Sequence, residues 1–380
     1  MKVFLTAGEP SGDALGAALM NGLKTQVPGV EFQGIAGPRM IAAGMESLFP
    51  MDELSVMGLA EVLPKYLHLK RRIRETAEAA LSWMPDVVVT IDSPDFSLRV
   101  AALVKARSTL RTVHYVAPTV WAWRPGRAIK MARVIDHVLA LFPFEPPYIK
   151  SAGMACDFVG HPVATLPEVT AAQQAAFLAR HGLRERPIVV LPGSRRTEVT
   201  RLMPRFAAAL SLSSLRDRPV ILPTLPHLAD TLLDLSRALP TPPVLLTGRG
   251  QSTEDATEER RVALATASLA LAASGTISLE LAQVRTPMVI AYDMNWLSRQ
   301  IIKRKLLIDT VTLVNLVSDT RAVPEFIGDA CVPSNIAGGL DLLAAEPDGQ
   351  LAAMELTMSR LGEGGTDPGH RAARAILSRL

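Results

Sequence analysis

The chain has 380 residues, enough for two domains that each bury a hydrophobic core. Apolar residues make up 48% and charged residues 20%, a composition that excludes global disorder, and no apolar run reaches the ~20 residues of a membrane span. The formal net charge of +3 does not by itself indicate nucleic-acid binding, and no nucleic-acid-binding motif accompanies it. Two distant cysteines, Cys156 and Cys331, predict no disulfide framework and fit a reducing cytosol.

Short apolar runs alternate with longer helical patterns along almost the whole chain. Most of these runs are continuously apolar, which is typical of strands covered on both faces of a parallel sheet. The first run turns polar too soon for a signal peptide and is predicted to be a strand. The predicted strands cover residues 2–7, 31–36, 87–91, 111–116, 137–141, 188–191, 220–223, 244–246, 269–272 and 288–291, and the clearest predicted helices cover 12–26, 67–84, 204–212 and 368–380.

Alternation of strands and helices predicts an α/β protein with doubly wound parallel sheets. Glycine and proline interrupt the pattern at residues 156–170, which predicts a domain boundary. We therefore expect one Rossmann-like domain at 1–165 and a second at 166–350, facing each other across a cleft. A helical segment at 351–380 is expected to pack back on the first domain.

The turn after the predicted strand 188–191 is the strongest indication of a phosphate site. It reads Pro192-Gly193-Ser194-Arg195-Arg196 and opens a helix. A glycine turn before a helix presents backbone N–H groups to an anion, and arginine adds planar, forked donors. We therefore predict that Gly193, Ser194, Arg195 and Arg196 bind a phosphate or diphosphate.

A second turn of this kind follows the predicted strand 269–272. Ser274, Gly275 and Thr276 offer hydroxyl and N–H donors, and Glu280 lies one helical turn further on, within reach of ribose hydroxyls. The alternative is an ordinary helix cap.

In the first half, Gly8-Glu9-Pro10-Ser11-Gly12-Asp13 follows the first strand. Glu9 and Ser11 are candidate contacts to a sugar or phosphate. The alternative is a tight turn in which Ser11 or Asp13 caps the next helix. The spacing matches neither the dinucleotide-binding fingerprint nor the P-loop.

Asp92 and Asp95 flank Pro94 after the predicted strand 87–91. A carboxylate at this position can take the proton of an attacking hydroxyl. The alternative is that these residues only cap the next helix, and this alternative is stronger for Asp92 than for Asp95. The sequence favours Asp95 as the base and leaves Asp92 open.

Aromatic residues concentrate where Trp121 and Trp123 precede Arg124. They form either a wall for a sugar or acyl chain, or core packing with a cation–π pair.

Two stretches, residues 56–72 and 296–307, combine apolar with basic residues. They are either core or surface helices that meet acyl chains and anionic headgroups at a membrane interface. The residues predicted to face lipid are Met57, Val62, Leu63, Tyr66, Leu69, Arg72, Trp296, Arg299, Lys303, Arg304 and Lys305.

Seven scattered histidines form no metal-ligand pattern with acidic residues, so no metal or other cofactor is expected. A transferase without a metal ion must stabilise a leaving diphosphate with arginine and helix N-termini. The 193–196 turn supplies both.

Taken together, these motifs resemble lipid-A-disaccharide synthases, membrane-associated glycosyltransferases of Gram-negative bacteria. Each motif is weak alone, but they follow one another in the family's order over nearly the whole chain. They are Gly8-Glu9-Pro10-Ser11-Gly12-Asp13, Gly37-Pro38-Arg39-Met40, Val56-Met57-Gly58, Ile91-Asp92-Ser93-Pro94-Asp95-Phe96, His114-Tyr115-Val116, Val120-Trp121-Ala122-Trp123-Arg124, Phe142-Pro143-Phe144-Glu145, Gly160-His161-Pro162, Leu191-Pro192-Gly193-Ser194-Arg195 with Glu198, and Ser274-Gly275-Thr276 with Glu280.

The resemblance implies a GT-B fold and transfer of 2,3-diacylglucosamine from UDP-2,3-diacylglucosamine to 2,3-diacylglucosamine 1-phosphate, with inversion. It implies Asp95 as general base, Arg195 at the leaving diphosphate, and Ser274, Gly275, Thr276 and Glu280 at UDP. Glu9 and Asn315 are implied to line the cleft. The implied location is the cytoplasmic face of the inner membrane; a homodimer is compatible with the sequence, which does not determine the oligomeric state.

The chain departs from the family pattern at Pro10, at Asp293, where a basic residue is usual, and at Val314, where proline is usual. These departures concern the donor contacts rather than the reaction class. The enzyme alternatives are a UDP-N-acetylglucosamine 2-epimerase and a lipid-linked glucosaminyltransferase of the same fold; the non-enzyme alternative is a membrane-binding scaffold that has lost activity.

Overall fold

The computed structural model describes residues 1–54, 59–122, 126–294 and 307–380, and only the backbone of residues 59–65. The chain divides into two compact units. The first contains Met1–Thr165 and Gly364–Leu380, and the second contains Leu166–Glu363. The sequence places a separate segment at 351–380, whereas the structure changes unit only after Glu363.

The described part of the first unit is built on one parallel six-stranded sheet. Its strands follow the order β2-β1-β3-β4-β5-β6, so the chain reverses direction across the sheet between β1 and β3. The continuous apolar runs predicted from the sequence form its buried centre, because helices cover both faces. The strands are β1 (Lys2–Ala7), β2 (Glu31–Ile35), β3 (Val87–Ile91), β4 (Arg111–Tyr115), β5 (His137–Ala140) and β6 (Ala155–Phe158).

The helices of the first unit include the C-terminal helix of the chain, which packs along the first helix. Glycines permit the close approach, since a Cβ at Gly22 would lie 2.5 Å from the carbonyl oxygen of Gly369. The α-helices are α1 (Pro10–Gln26), α2 (Pro38–Ala42), α3 (Leu59–Trp83), α4 (Pro94–Lys105), α5 (Gly126–Met131), α6 (Pro146–Lys150) and α15 (Pro368–Leu377), with 3-10 turns at Met51–Glu53 and Pro162–Thr165.

The described part of the second unit also contains a parallel six-stranded sheet, ordered β12-β11-β10-β7-β8-β9. Here the chain reverses direction between β7 and β10. The strands are β7 (Ile188–Leu191), β8 (Val220–Pro223), β9 (Val244–Leu246), β10 (Leu269–Ala272), β11 (Met288–Tyr292) and β12 (Glu325–Ile327). The α-helices are α7 (Ala171–Arg180), α8 (Arg196–Leu212), α9 (Ala229–Ser236), α10 (Thr253–Thr266), α11 (Ile277–Gln283), α12 (Leu313–Ser318), α13 (Pro333–Ala345) and α14 (Asp348–Leu361), with 3-10 turns at Pro226–Leu228 and Gly328–Ala330.

The helix predicted to open at the 193–196 turn is confirmed, since α8 begins at Arg196. The predicted helix at 204–212 is the second half of the same helix, which continues through Pro204. Its apolar face, which includes Leu202 and Phe206, is buried in the core of the second unit. The free energy gained by this burial offsets the free energy that a proline inside a helix costs. Helix α3 begins at Leu59 rather than at residue 67.

Candidate active site

In each unit taken by itself, the reversal point of the sheet places two of the turns that the sequence singles out next to each other. In open α/β sheets, ligands bind outside the carboxyl ends of the strands where the strand order reverses. In the second unit, the 193–196 turn follows β7 and the 274–276 turn follows β10, and these strands are hydrogen-bonded neighbours. In the first unit, the turns after β1 and β3 are neighbours in the same way.

The turn between β7 and α8, which we call the donor loop (Gly193–Arg195), is closed on one side by Glu198. Glycine is required at 193, because its φ is +118° and a Cβ there would lie 2.6 Å from Oε2 of Glu198. The backbone N–H of Ser194 donates to Glu198 Oε2 at 3.1 Å and that of Arg195 at 3.3 Å. Both N–H groups that were expected to face an anion are therefore bound to this carboxylate.

Glu198 also orients the side chain of Arg195. Arg195 Nη1 donates to Glu198 Oε1 at 3.1 Å, and the hydroxyl of Tyr292 at the end of β11 donates to the same oxygen at 3.3 Å. The Arg195 side chain remains 63% exposed. The group that the donor loop offers to a ligand is therefore a guanidinium held by one carboxylate, with Arg196 exposed beside it at the start of α8.

The 274–276 turn is open in the structure. Gly275, with φ +156°, and Thr276 are exposed, and Ser274 is half-buried. Glu280 is partly exposed on α11 and accepts a hydrogen bond from Arg260 Nη1 at 2.6 Å. Arg260, on α10, gave no signal in the sequence because its partner lies on a different helix.

Asn315 is buried, and its side chain is used within the second unit. Its Nδ2 donates to Thr310 Oγ1 at 3.2 Å and to the carbonyl of Val323 at 3.0 Å, while its Oδ1 accepts from Val323 N–H at 2.9 Å. Asn315 is predicted as a donor-site contact, and in the structure its amide joins α12 to the segment before β12.

In the first unit, the turns after β1 and β3 are in contact. A Cβ at Gly8 would lie 2.7 Å from Oγ of Ser93, so glycine is required by the close approach of the two turns. Partial burial, with the nearby charge of Asp92, raises the pKa of the Glu9 carboxyl. Asp92 and Ser93 have φ of +49° and +42°, and non-glycine residues in this region mark strained turns that cluster at functional sites.

Asp95 stands in the first turn of α4 with its side chain 95% exposed. Its nearest described cation is Arg127, whose Nη2 lies 3.5 Å from Oδ1. The cap position of α4 is Ser93 rather than either aspartate. Asp95 is therefore a solvent-accessible carboxylate that a substrate hydroxyl can reach.

Asp13 does not cap its own helix. Its carboxylate is buried and accepts the backbone N–H groups of Gly37, Arg39 and Met40 at 3.0, 2.8 and 2.9 Å. Ser11 is exposed, and the cap residue of α1 is Glu9, whose side chain makes no capping bond.

Trp121 is core packing rather than an exposed ligand wall. It is 7% exposed and contacts Phe144 edge-on, and its Nε1 donates to Oε1 of Glu145 at 3.3 Å. Burial raises the pKa of Glu145 to about 7 against the opposing backbone hydrogen bonds from Leu141 and Phe142. Trp123 and Arg124 lie outside the described residues.

Of the residues predicted to face lipid, the structure describes three side chains. Tyr66 is 47% exposed and Leu69 is half-buried on α3. Arg72 is bound to Glu53 by two 2.8 Å hydrogen bonds, which leaves less of its charge for a headgroup than we expected. The predictions for Met57, Trp296, Arg299, Lys303, Arg304 and Lys305 fall outside the described residues, and those for Val62 and Leu63 fall outside the described side chains.

In the described ranges, no helix is both long and apolar enough to cross a membrane. The same part of the chain holds no group of three or more His, Cys, Asp or Glu side chains arranged for a metal ion.

A family model described as lipid-A-disaccharide synthetase matches residues 3–360. The lipid-A-disaccharide synthase of Ruegeria pomeroyi is 61% identical over 383 residues, covering 100% of this chain and 96% of the relative. The enzyme of the same name from Rhodospirillum centenum is 44% identical over 385 residues, covering 99% and 94%. The chain belongs to the lipid-A-disaccharide synthetase family.

As a member of this family, the protein is a glycosyltransferase of lipid A biosynthesis. Its α/β architecture of two parallel six-stranded sheets is the GT-B fold predicted from the sequence. The structure of UDP-GlcNAc 2-epimerase from Neisseria meningitidis bound to UDP-GlcNAc matches with a TM-score of 0.63 at 12% identity, covering 100% of this chain and 99% of that one. The Methanocaldococcus jannaschii UDP-GlcNAc 2-epimerase matches with a TM-score of 0.61 at 13% identity, covering 100% and 99%. At such low identity the likeness concerns the fold alone, so the epimerase alternative gains nothing from it.

Proposed function

We propose that this member of the family transfers 2,3-diacylglucosamine from UDP-2,3-diacylglucosamine to 2,3-diacylglucosamine 1-phosphate with inversion. The 6-hydroxyl oxygen of the acceptor attacks C1 of the donor sugar. The bond from C1 to the diphosphate oxygen breaks, and its electron pair leaves with UDP. The product is the β(1→6)-linked disaccharide 1-phosphate.

Asp95 is the proposed general base, and its exposed carboxylate after β3 is the observation that carries the assignment. It takes the proton of the 6-hydroxyl as the new bond forms and returns it to water after product release. Glu9, on the neighbouring turn, contacts a sugar hydroxyl in this proposal. Its partly buried carboxylate can accept such a hydrogen bond.

Arg195 is proposed to stabilise the negative charge that develops on the leaving diphosphate. Its exposed guanidinium, oriented by Glu198, has donors left for phosphate oxygens. The diphosphate is also bound by Ser274, Gly275 and Thr276, at the end of the adjacent strand. Glu280, whose carboxylate is hydrogen-bonded to Arg260, accepts hydrogen bonds from the ribose hydroxyls.

The exposed Tyr66 and Leu67 on α3 support the proposal that this helix meets acyl chains at a membrane surface. We place the protein peripherally on the cytoplasmic face of the inner membrane. A homodimer is compatible with the sequence, and sedimentation equilibrium in detergent measures the oligomeric state.

The linkage of the product tests the stereochemistry. Proton NMR of the purified disaccharide should give, for the anomeric proton of the transferred sugar, the large H1–H2 coupling of a β-glycosidic bond. A small coupling, as in an α-linkage, would contradict inversion, and recovery of only an epimerised UDP-sugar would contradict transfer altogether.

A further inference from the structure

A second cationic depression lies on α8 beyond the donor loop. Its volume is about 400 Å³, and the described residues that line it are Thr197, Thr200, Arg201, Arg205 and Asp293. We call it the α8 pocket. None of these residues belongs to the donor loop or to the 274–276 turn.

The arginines of the α8 pocket are held at fixed spacing by a regular helix. Thr197, Arg201 and Arg205 are four residues apart in turn, so their side chains lie one above another on one face. The opposite face, with Leu202 and Phe206, is buried in the core of the second unit. Because α8 is anchored by that core, the two guanidiniums are presented together.

Asp293, which follows β11, is the acidic residue next to these two guanidiniums. Its side chain is only 3% exposed, and its Oδ2 lies 2.9 Å from Arg205 Nη2 and 3.9 Å from Arg201 Nη1. Arg205 Nη1 also donates to the carbonyl of Arg201 at 3.1 Å. One buried carboxylate thus faces two arginines, so the pocket keeps a surplus positive charge.

The arginines retain capacity for a ligand. Each of their side chains is 36% exposed, and a guanidinium carries five N–H donors, more than these contacts use. Thr197 and Thr200 are exposed and add two hydroxyls to the same space. Two forked cations with two hydroxyls provide more donors than the two oxygens of a carboxylate accept, and they suit the several oxygens of a phosphate.

We propose that the α8 pocket binds a phosphate group separate from the donor diphosphate. Arg201 and Arg205 pair with its oxygens, and the hydroxyls of Thr197 and Thr200 complete the contacts. The phosphate belongs either to a small soluble molecule or to the headgroup of an anionic phospholipid, which present the same chemistry. Asp293 pairs closely with Arg205 and more distantly with Arg201, and the proposal does not depend on the roles given to Asp95 or Arg195.

Two binding measurements on the full-length protein distinguish the sources. In the first, inorganic phosphate is titrated at fixed ionic strength into protein saturated with UDP, followed by calorimetry. In the second, the protein is sedimented with vesicles of phosphatidylglycerol or of phosphatidylcholine. The variants are Arg201→Gln, which leaves the 2.9 Å Arg205–Asp293 pair intact, and Arg201→Gln/Arg205→Gln.

The matched control is Arg216→Gln/Arg237→Gln, which removes the same charge from exposed positions of the same unit. We expect Arg201→Gln to weaken at least one of the two binding reactions about tenfold and the double variant to weaken it further, with the control unchanged. Loss in the phosphate arm identifies a soluble ligand, and loss in the phosphatidylglycerol arm identifies a headgroup. Unchanged binding by Arg201→Gln in both arms, an equal loss in the control, or no wild-type binding in either arm would overturn the proposal.

Discussion

Asp92 and Asp95 stand three residues apart after β3, yet their surroundings differ. Asp95 is 95% exposed on a regular helix, whereas Asp92 occupies a left-handed backbone conformation close to Glu9. The exposed carboxylate is free to meet a substrate hydroxyl. The other is part of the strained turn that brings the β1 and β3 ends together.

Asp95→Asn should therefore lower kcat by about 10² to 10⁴, the range for loss of a general base, with little change in KM. Asp92→Asn should lower kcat much less. Steady-state assays of UDP release by both variants make the comparison. A larger loss of kcat in Asp92→Asn would transfer the role of base to Asp92.

Glu198 is the residue on which the donor loop depends most. It accepts two backbone N–H groups, the Arg195 guanidinium and the Tyr292 hydroxyl, and Gln at this position cannot accept all four. Glu198→Gln should lower kcat/KM about tenfold, because Arg195 loses its anchor and the helix start loses part of its cap. Tyr292→Phe, which removes one of the four donors, serves as the milder control, and an activity loss as large as that of Glu198→Gln would contradict this ranking.

The conformation of the turns at the sheet reversals depends on glycine, because other chain segments approach the backbone closely there. Gly193→Ala introduces a Cβ 2.6 Å from Glu198 Oε2 at a φ of +118°, whereas Gly182, at φ +63°, has nothing within 4 Å of an added Cβ. Gly182→Ala should cost about 1 kcal/mol of unfolding free energy from backbone strain alone, and Gly193→Ala clearly more. Urea unfolding of the two variants measures the difference. Equal losses of unfolding free energy would show that the Glu198 side chain moves away from an added Cβ at little cost.

Asp13 makes an element-scale contact of a different kind, joining α1 to the start of α2. Asp13→Ala leaves three backbone N–H groups without their acceptor in a buried site, which should cost about 2–4 kcal/mol. Asp217→Ala, at a side chain 89% exposed, is the matched control and should change the unfolding free energy by less than about 0.5 kcal/mol. A loss below about 1 kcal/mol for Asp13→Ala would mean that water replaces the carboxylate.

The sequence predicted ten of the strands that the structure describes, because most of them are continuous apolar runs. It missed β6, whose Asp157 interrupts the apolar run, and β12, in which Glu325 leaves only two apolar residues. Both are edge strands, and an edge strand needs less apolar sequence than a central one. The turns of the candidate site could be predicted because they follow strands. The burial of Asn315 and the hydrogen bonds from the donor loop to Glu198 could not be predicted, because they depend on tertiary contacts.

On the scale of the whole first unit, buried histidines make stability sensitive to acid. Burial lowers the pKa of His114, His137 and His161 to about 4, against 6.5 when exposed. The unfolded chain therefore binds more protons between these values, so their contribution to stability is present above pH 6.5 and is lost as the pH falls toward 4. Glu145 and Glu9 oppose this, because a raised carboxyl pKa makes the contribution to stability fall as pH rises, for Glu145 between 4.5 and about 7, but two groups do not offset three.

The unfolding free energy of the first unit should thus fall as pH decreases from 6.5 to 4.5. His114→Gln should reduce this slope by at most about 1.4 kcal/mol per pH unit, the effect of one proton, and the exposed His227→Gln should leave it unchanged. Three of the four tryptophans belong to the first part of the sequence, so tryptophan fluorescence in urea mainly follows this unit. A stability that is flat or rising on acidification would contradict the account.

The central claim, that the protein joins two acylated glucosamine units with release of UDP, is tested most directly by a UDP-release assay in detergent micelles. UDP-2,3-diacylglucosamine is the donor, EDTA is present throughout, and 2,3-diacylglucosamine 1-phosphate is added or withheld. We expect UDP release that requires the acceptor and persists in EDTA. Release that is independent of the acceptor, or no release from folded protein that binds UDP, would contradict it.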